Sequence, residues 1–595
     1  MRWQLKPRAP IAFLKKFSEY SSLITHLFYN RGFKTQQQID EFFNPDFQKD
    51  FHSPFLLKGM KKAVKRILAA IEKQEKIVIY GDFDADGICA TAVLFLTIKA
   101  LCNKEVQIYI PNRDKEGHGL NEKAIKELAQ AETRLIITVD CASADLDEVD
   151  LANSLGIDII VTDHHELRDI LPKAVAIINP WQKGDRYPFK KLAGAGVAYK
   201  LAWAILESAA ISKANDSSQK KLQKWLLDLV SIATVADVMP IIGENRTLVK
   251  YGLGVLAQTR WLGLQELMKS ARVTPKLTQP SLNGEAPLTN LDTYTLGYIL
   301  GPRLNAASRI DHANLAFRLL ITEDRKEAKS LAEQLNQNNL DRQRLTDKII
   351  KEIRGRLDKK FNQDSKPKLI FEGSPNWSVG IIGLAAGKIA DRYCRPTVIY
   401  QEKGEMIYAS CRTILQFDLM EPLEKCANFI DDFGGHKEAA GFRIKKGKLS
   451  QVKKVFNQMA EEKLKDKNLI PLLNIDEELS LKEVSWQNYD QIQRFAPFGR
   501  DNPEPRFLAK CLEINDIRIV GNNGRHLKME LIMFDNGSES AKNFKAIGFG
   551  LGEWEYKLKK GDLIDIVFEF IIDEWNGRRD LQFKIVDLKL SKDAP

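Results

Sequence analysis

The stretch that decides the fold is residues 77–95, IVIYGDFDADGICATAVLF. It opens with a short apolar run of the kind that forms a buried strand, and it closes with an apolar run long enough for a helix. Between the two runs, Asp82, Asp84 and Asp86 occupy alternate positions. Carboxylates this close repel one another and raise their own pKa values unless cations neutralise them. The stretch therefore predicts a strand followed by a helix, with a charged site where the strand ends.

The sequence around this stretch alternates between strands and helices. Further strand-like segments are EVQIYIP (105–111), RLIITVD (134–140) and IDIIVTD (157–163), and helical segments separate them. Near-continuous apolar strands separated by amphipathic helices are typical of a parallel sheet that is covered on both faces. We therefore predict an α/β fold with a parallel sheet in this part of the chain.

The pattern of apolar and charged residues changes three times in the rest of the chain. A run of charged helix formers is followed by a second alternation of strands and helices, and then by short alternating strands, which are typical of a small barrel such as the oligonucleotide-binding (OB) fold. The first residues are either an extension or the first layer of the next domain. The predicted division is an N-terminal extension (1–60), a parallel-sheet domain (61–322), a connecting helix (323–360), a smaller α/β domain (361–468) and an OB-fold β-barrel (469–595).

Composition narrows the class of protein. The 595 residues contain seven cysteines, an odd number without a CxxC pair, which argues against a disulfide framework and against a thiolate zinc site. No apolar stretch is long enough to span a bilayer, and the N-terminus lacks the features of a signal peptide, so we expect a cytoplasmic protein with no membrane association. A net charge of +10 permits a polyanionic partner without establishing one.

Acidic and imidazole side chains follow three of the predicted parallel strands. Because ligands of open α/β sheets bind at the carboxyl ends of the strands, these groups can converge on one site. Any one aspartate in such a position is more often a helix N-cap, but that interpretation is weak for three clusters together. The groups concerned are Asp82, Asp84 and Asp86 after the first strand, Asp140 after the third, and Asp163, His164 and His165 after the fourth.

The donor atoms of these groups indicate the type of ion. Carboxylate oxygens with imidazole nitrogens and no thiolate suit Mn²⁺ or Mg²⁺, and the histidines favour Mn²⁺. Asp237, in the apolar segment SIATVADVMP, is a further candidate ligand, although it could equally be one partner of a buried salt bridge.

The order of these motifs resembles that of a known family. GDFDADG, TVDC, TDHH and TVADVMP follow one another as do the four motifs of the DHH phosphoesterase family, and GGHKEAAGF is similar to the signature of its DHH-associated second domain. YIPNR with EGHGL, GPRLNAASRI and PFGRDNPEPRF narrow the resemblance to the bacterial single-strand-specific 5′→3′ exonucleases of that family. The resemblance covers nearly all of the chain from residue 60 onward.

The resemblance implies a site with two metal ions. Asp140 would bridge the ions, with Asp82 and Asp84 on the first ion and Asp86, His164 and Asp237 on the second. Asp82 takes the place of a histidine that the family usually has at the position of Tyr80. Asp163 would orient a histidine, and His165 would contact the scissile phosphate. We therefore expect the catalytic residues to be Asp140, Asp163 and His165.

A 5′ exonuclease also needs donors for phosphate, and arginine matches phosphate oxygens in bidentate fashion. The resemblance places Arg113, Ser410 and Arg412 around the 5′ phosphate, whereas any one of the arginines taken alone is more often a surface or salt-bridge residue. The glycines beside His436 would let the backbone approach nucleic acid, although a capped turn is the alternative. The expected DNA-binding residues are Arg113, Arg303, Arg309, Ser410, Arg412 and His436.

The predicted function is a metal-dependent exonuclease that degrades single-stranded DNA in the 5′→3′ direction and releases 5′-mononucleotides during recombination and repair. Its implied partners are single-stranded DNA, a single-strand-binding protein and a repair helicase, and we expect a monomer. One alternative is a phosphodiesterase for small oligonucleotides or cyclic dinucleotides. The other is an inactive scaffold that binds single-stranded DNA, which we would expect to have lost metal ligands.

Overall fold

A computed structural model describes residues 1–102, 106–212, 217–279, 286–361, 366–465, 467, 469–521, 524–534, 541–575 and 578–591. They divide into two compact units, residues 47–469 and residues 1–46 together with 470–595. In the described part of the chain, no helix has the length and apolar character needed to cross a membrane. The predicted five-part division stays a prediction, and two of its end points, 468 and 595, lie outside the described residues.

The chain begins with one short strand and three helices. They are β1 (Arg2–Leu5), α1 (Ile11–Lys16), α2 (Ser22–Asn30) and α3 (Gln36–Phe43). The hydroxyls of Ser21 and Thr35 accept hydrogen bonds from the backbone N–H groups of Ile24 and Gln38, which caps α2 and α3. These elements belong to the same unit as the C-terminal residues.

The predicted parallel sheet is confirmed. All pairings between its strands are parallel, in the order β3-β2-β4-β5-β6. Every residue of β2 and β4 is buried, because helices cover both faces of the sheet. The elements are α4 (Met60–Glu72), β2 (Ile77–Gly81), α5 (Ala85–Lys99), β3 (Gln107–Tyr109), α6 (Glu122–Gln130), β4 (Leu135–Val139), α7 (Leu146–Ser154), β5 (Asp158–Thr162) and β6 (Ala176–Ile178).

A helical layer follows the sheet. Helix α5 packs against both α8 and α10, which explains why this helix is apolar on nearly all sides. The elements are α8 (Gly194–Ser212), α9 (Ser217–Trp225), α10 (Leu227–Ala236), α11 (Gly243–Leu256), α12 (Leu262–Ser270), β7 (Leu277–Gln279), β8 (Leu288–Thr289), a π-helical turn (Thr295–Leu300), α13 (Gly301–Ile310) and α14 (Asn314–Ile321).

The long connecting helix and the second α/β domain are also confirmed. Helix α15 spans Arg325–Phe361, and Asp324 caps its start by accepting hydrogen bonds from Lys326 N at 2.6 Å and Glu327 N at 3.2 Å. The second sheet has the order β12-β13-β11-β10-β9, in which only β9 and β10 are parallel. Its elements are β9 (Ile370–Ser374), α16 (Val379–Tyr393), β10 (Thr397–Lys403), β11 (Met406–Arg412), α17 (Met420–Lys425), β12 (Asp432–His436), β13 (Ala439–Lys445) and α18 (Leu449–Leu464).

The C-terminal strands close into the predicted barrel. Strand β16 pairs with β17 on one side and with β19 on the other, so the sheet β16-β17-β18-β20-β19 has no open edge. Strand β1 pairs with β14, and Phe28 and Phe43 pack on Phe495, so the first residues share the core of the barrel unit. The elements are β14 (Leu472–Ile475), β15 (Glu477–Glu478), α19 (Trp486–Gln493), β16 (Phe507–Val520), β17 (His526–Phe534), β18 (Ala541–Gly548), β19 (Leu563–Trp575) and β20 (Arg578–Leu590).

Candidate metal centre

The acidic and imidazole side chains lie together at the carboxyl edge of the parallel sheet. Asp82 follows β2, Asp140 follows β4, and Asp163 with its two neighbouring histidines follows β5. Asp237 follows the last residue of α10, a helix that packs on α5. The edge of the sheet, the start of α5 and the end of α10 therefore supply all the side chains that the sequence predicts to be metal ligands.

Among the described residues, potential metal ligands in this cluster form three groups, and one of them, Asp140, His164 and His165, shares a residue with each of the other two. The candidate ligand atoms of Asp82, Asp84 and Asp140 lie within 4.8 Å of one another, and so do those of Asp86, His164 and Asp237. The two groups adjoin, because His164 Nε2 lies 3.1 Å from Asp140 Oδ1, 3.7 Å from Asp237 Oδ2 and 3.8 Å from Asp86 Oδ2. This arrangement can hold two cations with Asp140 near both.

The buried carboxylates of this cluster repel one another, so bound cations would stabilise them. Burial and the neighbouring carboxylates raise the pKa of Asp84 to about 6, and burial raises the pKa of Asp86 to about 6. Burial and the charges of nearby aspartates raise the pKa of Asp140 well above its usual range. Asp140 Oδ1 is also buried without a hydrogen-bond partner among the described residues. Divalent cations such as Mn²⁺ or Mg²⁺ fit these residues, since they would neutralise the charge and coordinate the buried oxygen.

Asp84 caps the N-terminus of α5 and is also a candidate metal ligand. Its Oδ1 accepts hydrogen bonds from Asp86 N at 2.8 Å and Gly87 N at 3.1 Å, so it is the N-cap of α5. Asn305 Oδ1 accepts the N–H of the next residue, Ala85, at 2.9 Å. The cap holds one oxygen of Asp84, and its other oxygen remains available to a cation.

The start of α8 positions Asp86 and was not anticipated from the sequence. Gly194 N donates to Asp86 Oδ2 and Ala195 N donates to Asp86 Oδ1, both at 2.7 Å, which places the carboxylate at a helix N-terminus. A Cβ atom at Gly194 would lie 2.4 Å from Asp140 Oδ1, so only glycine fits there. The glycines of LAGAG (192–196) were the available signal for this contact.

The ring of His164 is oriented by a backbone carbonyl. Its Nδ1 lies 3.0 Å from Leu192 O, which can only accept, so Nδ1 carries the proton and Nε2 presents its lone pair to the aspartates. Burial and the charge of His165 lower the pKa of His164 to about 4. The ring is therefore neutral at neutral pH, as a metal ligand must be.

Unlike the ring of His164, the ring of His165 is protonated and positively charged at neutral pH. Burial opposes its charged form, but the hydrogen bond to Asp163 Oδ1 at 2.7 Å and the charge of that carboxylate raise the pKa of His165 to about 9. Asp163 is buried, and Ser143 N donates to its other oxygen at 3.0 Å. Although burial alone would raise the pKa of Asp163, the hydrogen bond with His165 holds it below its usual range. An imidazolium thus lies beside the carboxylate cluster.

His118 is a second side chain that the sequence reasoning did not assign to the site. Its Nδ1 lies 2.9 Å from Asp82 Oδ1, and that hydrogen bond raises the pKa of His118 although burial opposes it. The hydroxyl of Tyr80 donates to Gly119 O at 3.0 Å, which ties the loop containing His118 to β2. The signal was present in EGHGL (116–120), a segment that carried the family resemblance but received no role.

Arg309 lies beside the metal centre, within electrostatic range of Asp84. None of Arg113, Arg303, Arg309 and Arg412 forms an ion pair with a carboxylate among the described residues. Burial, followed by the charges of Arg113 and other arginines that include Arg412, lowers the pKa of Arg309, while the charge of Asp84 opposes this shift. The guanidinium of Arg113 lies over the ring of Phe83, 4.9 Å from its centroid. This cluster can bind a phosphate beside the metal centre.

Three of the predicted DNA-binding residues, Ser410, Arg412 and His436, lie on the second sheet, whereas Arg303 lies on α13. Arg412 Nη1 donates to Ser410 Oγ at 3.3 Å and to Cys411 O at 2.8 Å. His436 is exposed and stands opposite Ala439, which in turn stands opposite Arg412, so His436 lies two strands from Arg412 on the same sheet. Arg303 donates instead to the connecting helix, from Nε to Asn336 Oδ1 at 3.1 Å.

Known proteins share this architecture. The model "DHH family, N-terminal domain" matches residues 76–234, the model "DHHA1 domain" matches residues 366–463, and the model "RecJ OB domain" matches residues 475–587. The chain is 35% identical over 597 residues to the single-stranded-DNA-specific exonuclease RecJ of Bacillus subtilis, in an alignment that covers 100% of this chain and 71% of that protein. It is 30% identical over 575 residues to the exonuclease of the same name from Haemophilus influenzae, covering 95% of each protein.

A solved structure gives the same result for the fold. The crystal structure of RecJ from Thermus thermophilus in complex with Mn²⁺ superposes with a TM-score of 0.80 at 25% identity, over 100% of this chain and 80% of that one. The similarity therefore extends through the sheet domain, the connecting helix, the second domain and the barrel.

Proposed function

Because the chain belongs to the RecJ family of single-stranded-DNA-specific exonucleases, we propose that it hydrolyses phosphodiester bonds of single-stranded DNA with the help of two divalent cations. It removes nucleotides from the 5′ end and releases 5′-mononucleotides. Mn²⁺ and Mg²⁺ both suit the carboxylate and imidazole donors, and the T. thermophilus relative was crystallised with Mn²⁺.

One observation is the main support for this proposal over the alternative functions. Two groups of potential ligands adjoin at Asp140. Beside them lie arginines that form no ion pair with any described carboxylate, and Arg309 is close enough to Asp84 for their charges to interact. A site for cations next to a site for anions is what hydrolysis of a phosphodiester requires. An inactive scaffold would have no need for a complete ligand set.

The side chains have separate roles in the proposed reaction. When bound, two cations would polarise the scissile phosphate and lower the pKa of the attacking water. Asp82, Asp84 and Asp140 hold one side of the centre, and Asp86, His164 and Asp237 hold the other. His165 keeps its positive charge through Asp163 and stabilises the negative charge that develops on the phosphate oxygens.

The direction of degradation follows from recognition of the strand end. Arg113 and Arg412 interact electrostatically, and Arg412 contacts Ser410, so the three side chains can surround one terminal phosphate. Anchoring a terminal phosphate there places the first internucleotide phosphate within reach of the metal centre. Arg303, Arg309 and His436 contact the strand elsewhere.

We extend the proposal to the setting of the enzyme. The OB-type barrel belongs to a class of domains that bind single strands by stacking and by charge. We propose a monomeric cytoplasmic enzyme of DNA recombination and repair that cooperates with a single-strand-binding protein and a repair helicase.

The test compares degradation of 5′-labelled and 3′-labelled single-stranded DNA with that of the matching duplex. Reactions contain Mn²⁺, Mg²⁺ or EDTA, and Asp140→Ala is the inactive control. We expect labelled mononucleotides first from the 5′-labelled single strand, only with metal and not with the variant. Survival of long DNA while dinucleotides are cleaved would support a small phosphodiesterase, and binding of intact DNA under every condition would support a scaffold.

A further inference from the structure

The carboxylate of Asp82 is held differently from those of the neighbouring candidate ligands. Backbone N–H groups orient Asp84 and Asp86, each of which accepts two hydrogen bonds from the start of a helix. In the described part of the chain, the side chain of Asp82 has a single hydrogen-bond partner, His118 Nδ1, which lies 2.9 Å from Oδ1. The orientation of this buried carboxylate therefore depends on one side chain from another loop.

The loop that contains His118 is fastened beside the metal centre. The hydroxyl of Tyr80, a fully buried residue of β2, donates to Gly119 O at 3.0 Å. Leu120 N donates to Asp145 Oδ2 at 2.7 Å. Gly119 has a φ of +86°, and a Cβ atom there would lie 2.5 Å from the same oxygen of Asp145, so this close approach requires glycine. These contacts fix the backbone on the C-terminal side of His118.

The hydrogen bond between the two side chains has one direction. A carboxylate that binds a cation is ionised and can only accept, so Nδ1 of His118 carries the proton. The bond occupies Oδ1 of Asp82 and leaves Oδ2 for a cation. The side chain of His118 is 49% exposed and that of Asp82 is 7% exposed, so the acceptor is the buried member of the pair. A partner that holds a buried ligand in place lowers the entropic cost of ordering that ligand when the cation binds.

We propose that His118 is a positioning residue of the metal centre, which holds the Asp82 carboxylate in the orientation that a first cation needs. That cation would be bound by the group of Asp82, Asp84 and Asp140. The inference rests on the proposed function, because it concerns the cations of the same reaction. Among the residues described, His118 forms no hydrogen bond with the second group of ligands, so the second cation should depend on it much less.

Binding of Mn²⁺ in the absence of DNA tests this role without cleavage. Electron paramagnetic resonance of free Mn²⁺ measures how many ions the protein binds and the Kd of each. In His118→Leu, we expect Kd for one ion to rise about 10- to 100-fold, because partners that orient a ligand typically contribute that much to metal affinity. Kd for the other ion should change much less.

Two further variants separate positioning from a general effect on the loop. The amide nitrogen of asparagine branches from Cγ, as Nδ1 of histidine does, so His118→Asn should restore Kd to within about threefold of the unaltered protein. Glutamine carries its amide one atom further out, so His118→Gln should bind Mn²⁺ as weakly as His118→Leu. Equal Kd values for His118→Asn and His118→Leu would overturn the inference. Binding of Mn²⁺ to His118→Leu that equals or exceeds that of the unaltered protein would do the same.

A double-mutant cycle tests whether His118 acts through Asp82. If it does, His118→Leu should cause no further loss of Mn²⁺ affinity in Asp82→Asn, because the carboxylate that it orients is already gone. Losses that add would contradict the inference. The control is His312→Leu, which should keep the Kd values of the unaltered protein. His312 Nδ1 accepts the N–H of Asn314 at 3.2 Å, and His312 belongs to none of the groups of candidate ligands found in the described residues.

Failure of the inference and failure of the proposed function are distinguishable. If the unaltered protein degrades single strands while His118→Leu binds both ions as tightly, only the role of His118 is wrong. If Mn²⁺ binding depends on His118 but the unaltered protein does not degrade DNA, only the proposed activity is wrong. If His118→Leu does not fold, His118→Asn and His118→Gln decide between them, since equal Kd values for these two variants would refute the role of Nδ1.

Discussion

Asp163 Oδ1 accepts a hydrogen bond from His165 Nδ1 at 2.7 Å, and the same oxygen accepts the backbone N–H of His165 at 3.2 Å. The backbone N–H of His164 donates to this oxygen as well, at 2.8 Å. One buried carboxylate therefore orients the turn after β5 and keeps the His165 ring charged. The two adjacent histidines end with different protonation states because only the ring of His165 contacts Asp163.

Replacing Asp163 by asparagine should impair this turn without removing a metal ligand. We expect kcat on 5′-phosphorylated single strands to fall about 10- to 100-fold, because side chains that orient catalytic groups typically contribute that much. KM should change little. Steady-state rates measure both, and Asp169→Asn, at an exposed position of the following loop, is the control. Equal rates for Asp163→Asn and the control would contradict the role of Asp163.

The aspartate cluster predicts an unusual response to metal removal. In EDTA, Asp140→Asn should melt at a higher temperature than the unaltered protein, because it removes one of several buried like charges. Mn²⁺ should stabilise the unaltered protein by about 2.7 kcal/mol at a concentration of about 100 times Kd, and the variant by less. Thermal melting with and without Mn²⁺ measures both effects. A variant that melts lower than the unaltered protein in EDTA would refute the repulsion argument.

Arg412→Gln should affect the recognition of the strand end. Hydrogen bonds to charged groups are worth about 1.5–3 kcal/mol, so kcat/KM for a 5′-phosphorylated strand should fall about 10- to 100-fold. The same strand with a 5′ hydroxyl should be degraded nearly as before. Competition between the two strands in one reaction measures the ratio, and Arg443→Gln on the neighbouring strand β13 is the control. Equal losses on both strands would mean that Arg412 does not contact the terminal phosphate.

A buried ion pair supports the helical layer behind the sheet. Lys200 Nζ lies 2.5 Å from Glu244 Oε1, both side chains are 0% exposed, and the Tyr187 hydroxyl donates to Glu244 Oε2 at 2.5 Å. Lys200→Met should lower the free energy of unfolding by about 3–5 kcal/mol, because it leaves a buried carboxylate unpaired.

The double variant Lys200→Met with Glu244→Leu should recover most of that loss, since no buried charge remains. Urea denaturation measures both variants, and Lys221→Met, at an exposed position of α9, is the control. If the double variant is less stable than Lys200→Met alone, the unpaired charge is not the cause.

The buried carboxyl group of Asp228 should make the free energy of unfolding depend on pH. Burial raises its pKa to about 7, despite hydrogen bonds from Thr259, Leu229 N and Trp261. Since the folded protein holds this proton more tightly than the unfolded chain, the contribution of Asp228 to stability is complete at acid pH. It is lost as the pH rises from about 4 to about 7, by at most about 4 kcal/mol.

Asp228→Asn cannot lose that proton, so its stability relative to the unaltered protein should increase between about pH 5 and about pH 8. Melting curves in EDTA at both pH values measure the difference, with Asp169→Asn as the control. A difference that does not change with pH would show that Asp228 is already ionised at the lower pH.

Much of the architecture was predictable from sequence because local patterns determine it. The apolar strands of the parallel sheet, the charged run of α15 and the alternating strands of the barrel each have a period that predicts one type of element. The edge on which the site lies was also predictable, since the carboxyl ends of neighbouring parallel strands meet there. Asp82, Asp140 and Asp163 each follow such a strand.

Contacts between distant parts of the chain were decided only by the tertiary structure. His118 is 36 residues from Asp82, and Gly194 is 108 residues from Asp86, and no periodicity links either pair. The sequence by itself determined which side chains end the strands of the sheet, because strand direction is local. Tertiary packing decided which loops and helices cover that edge, since burial and hydrogen bonding join segments that are far apart in the chain.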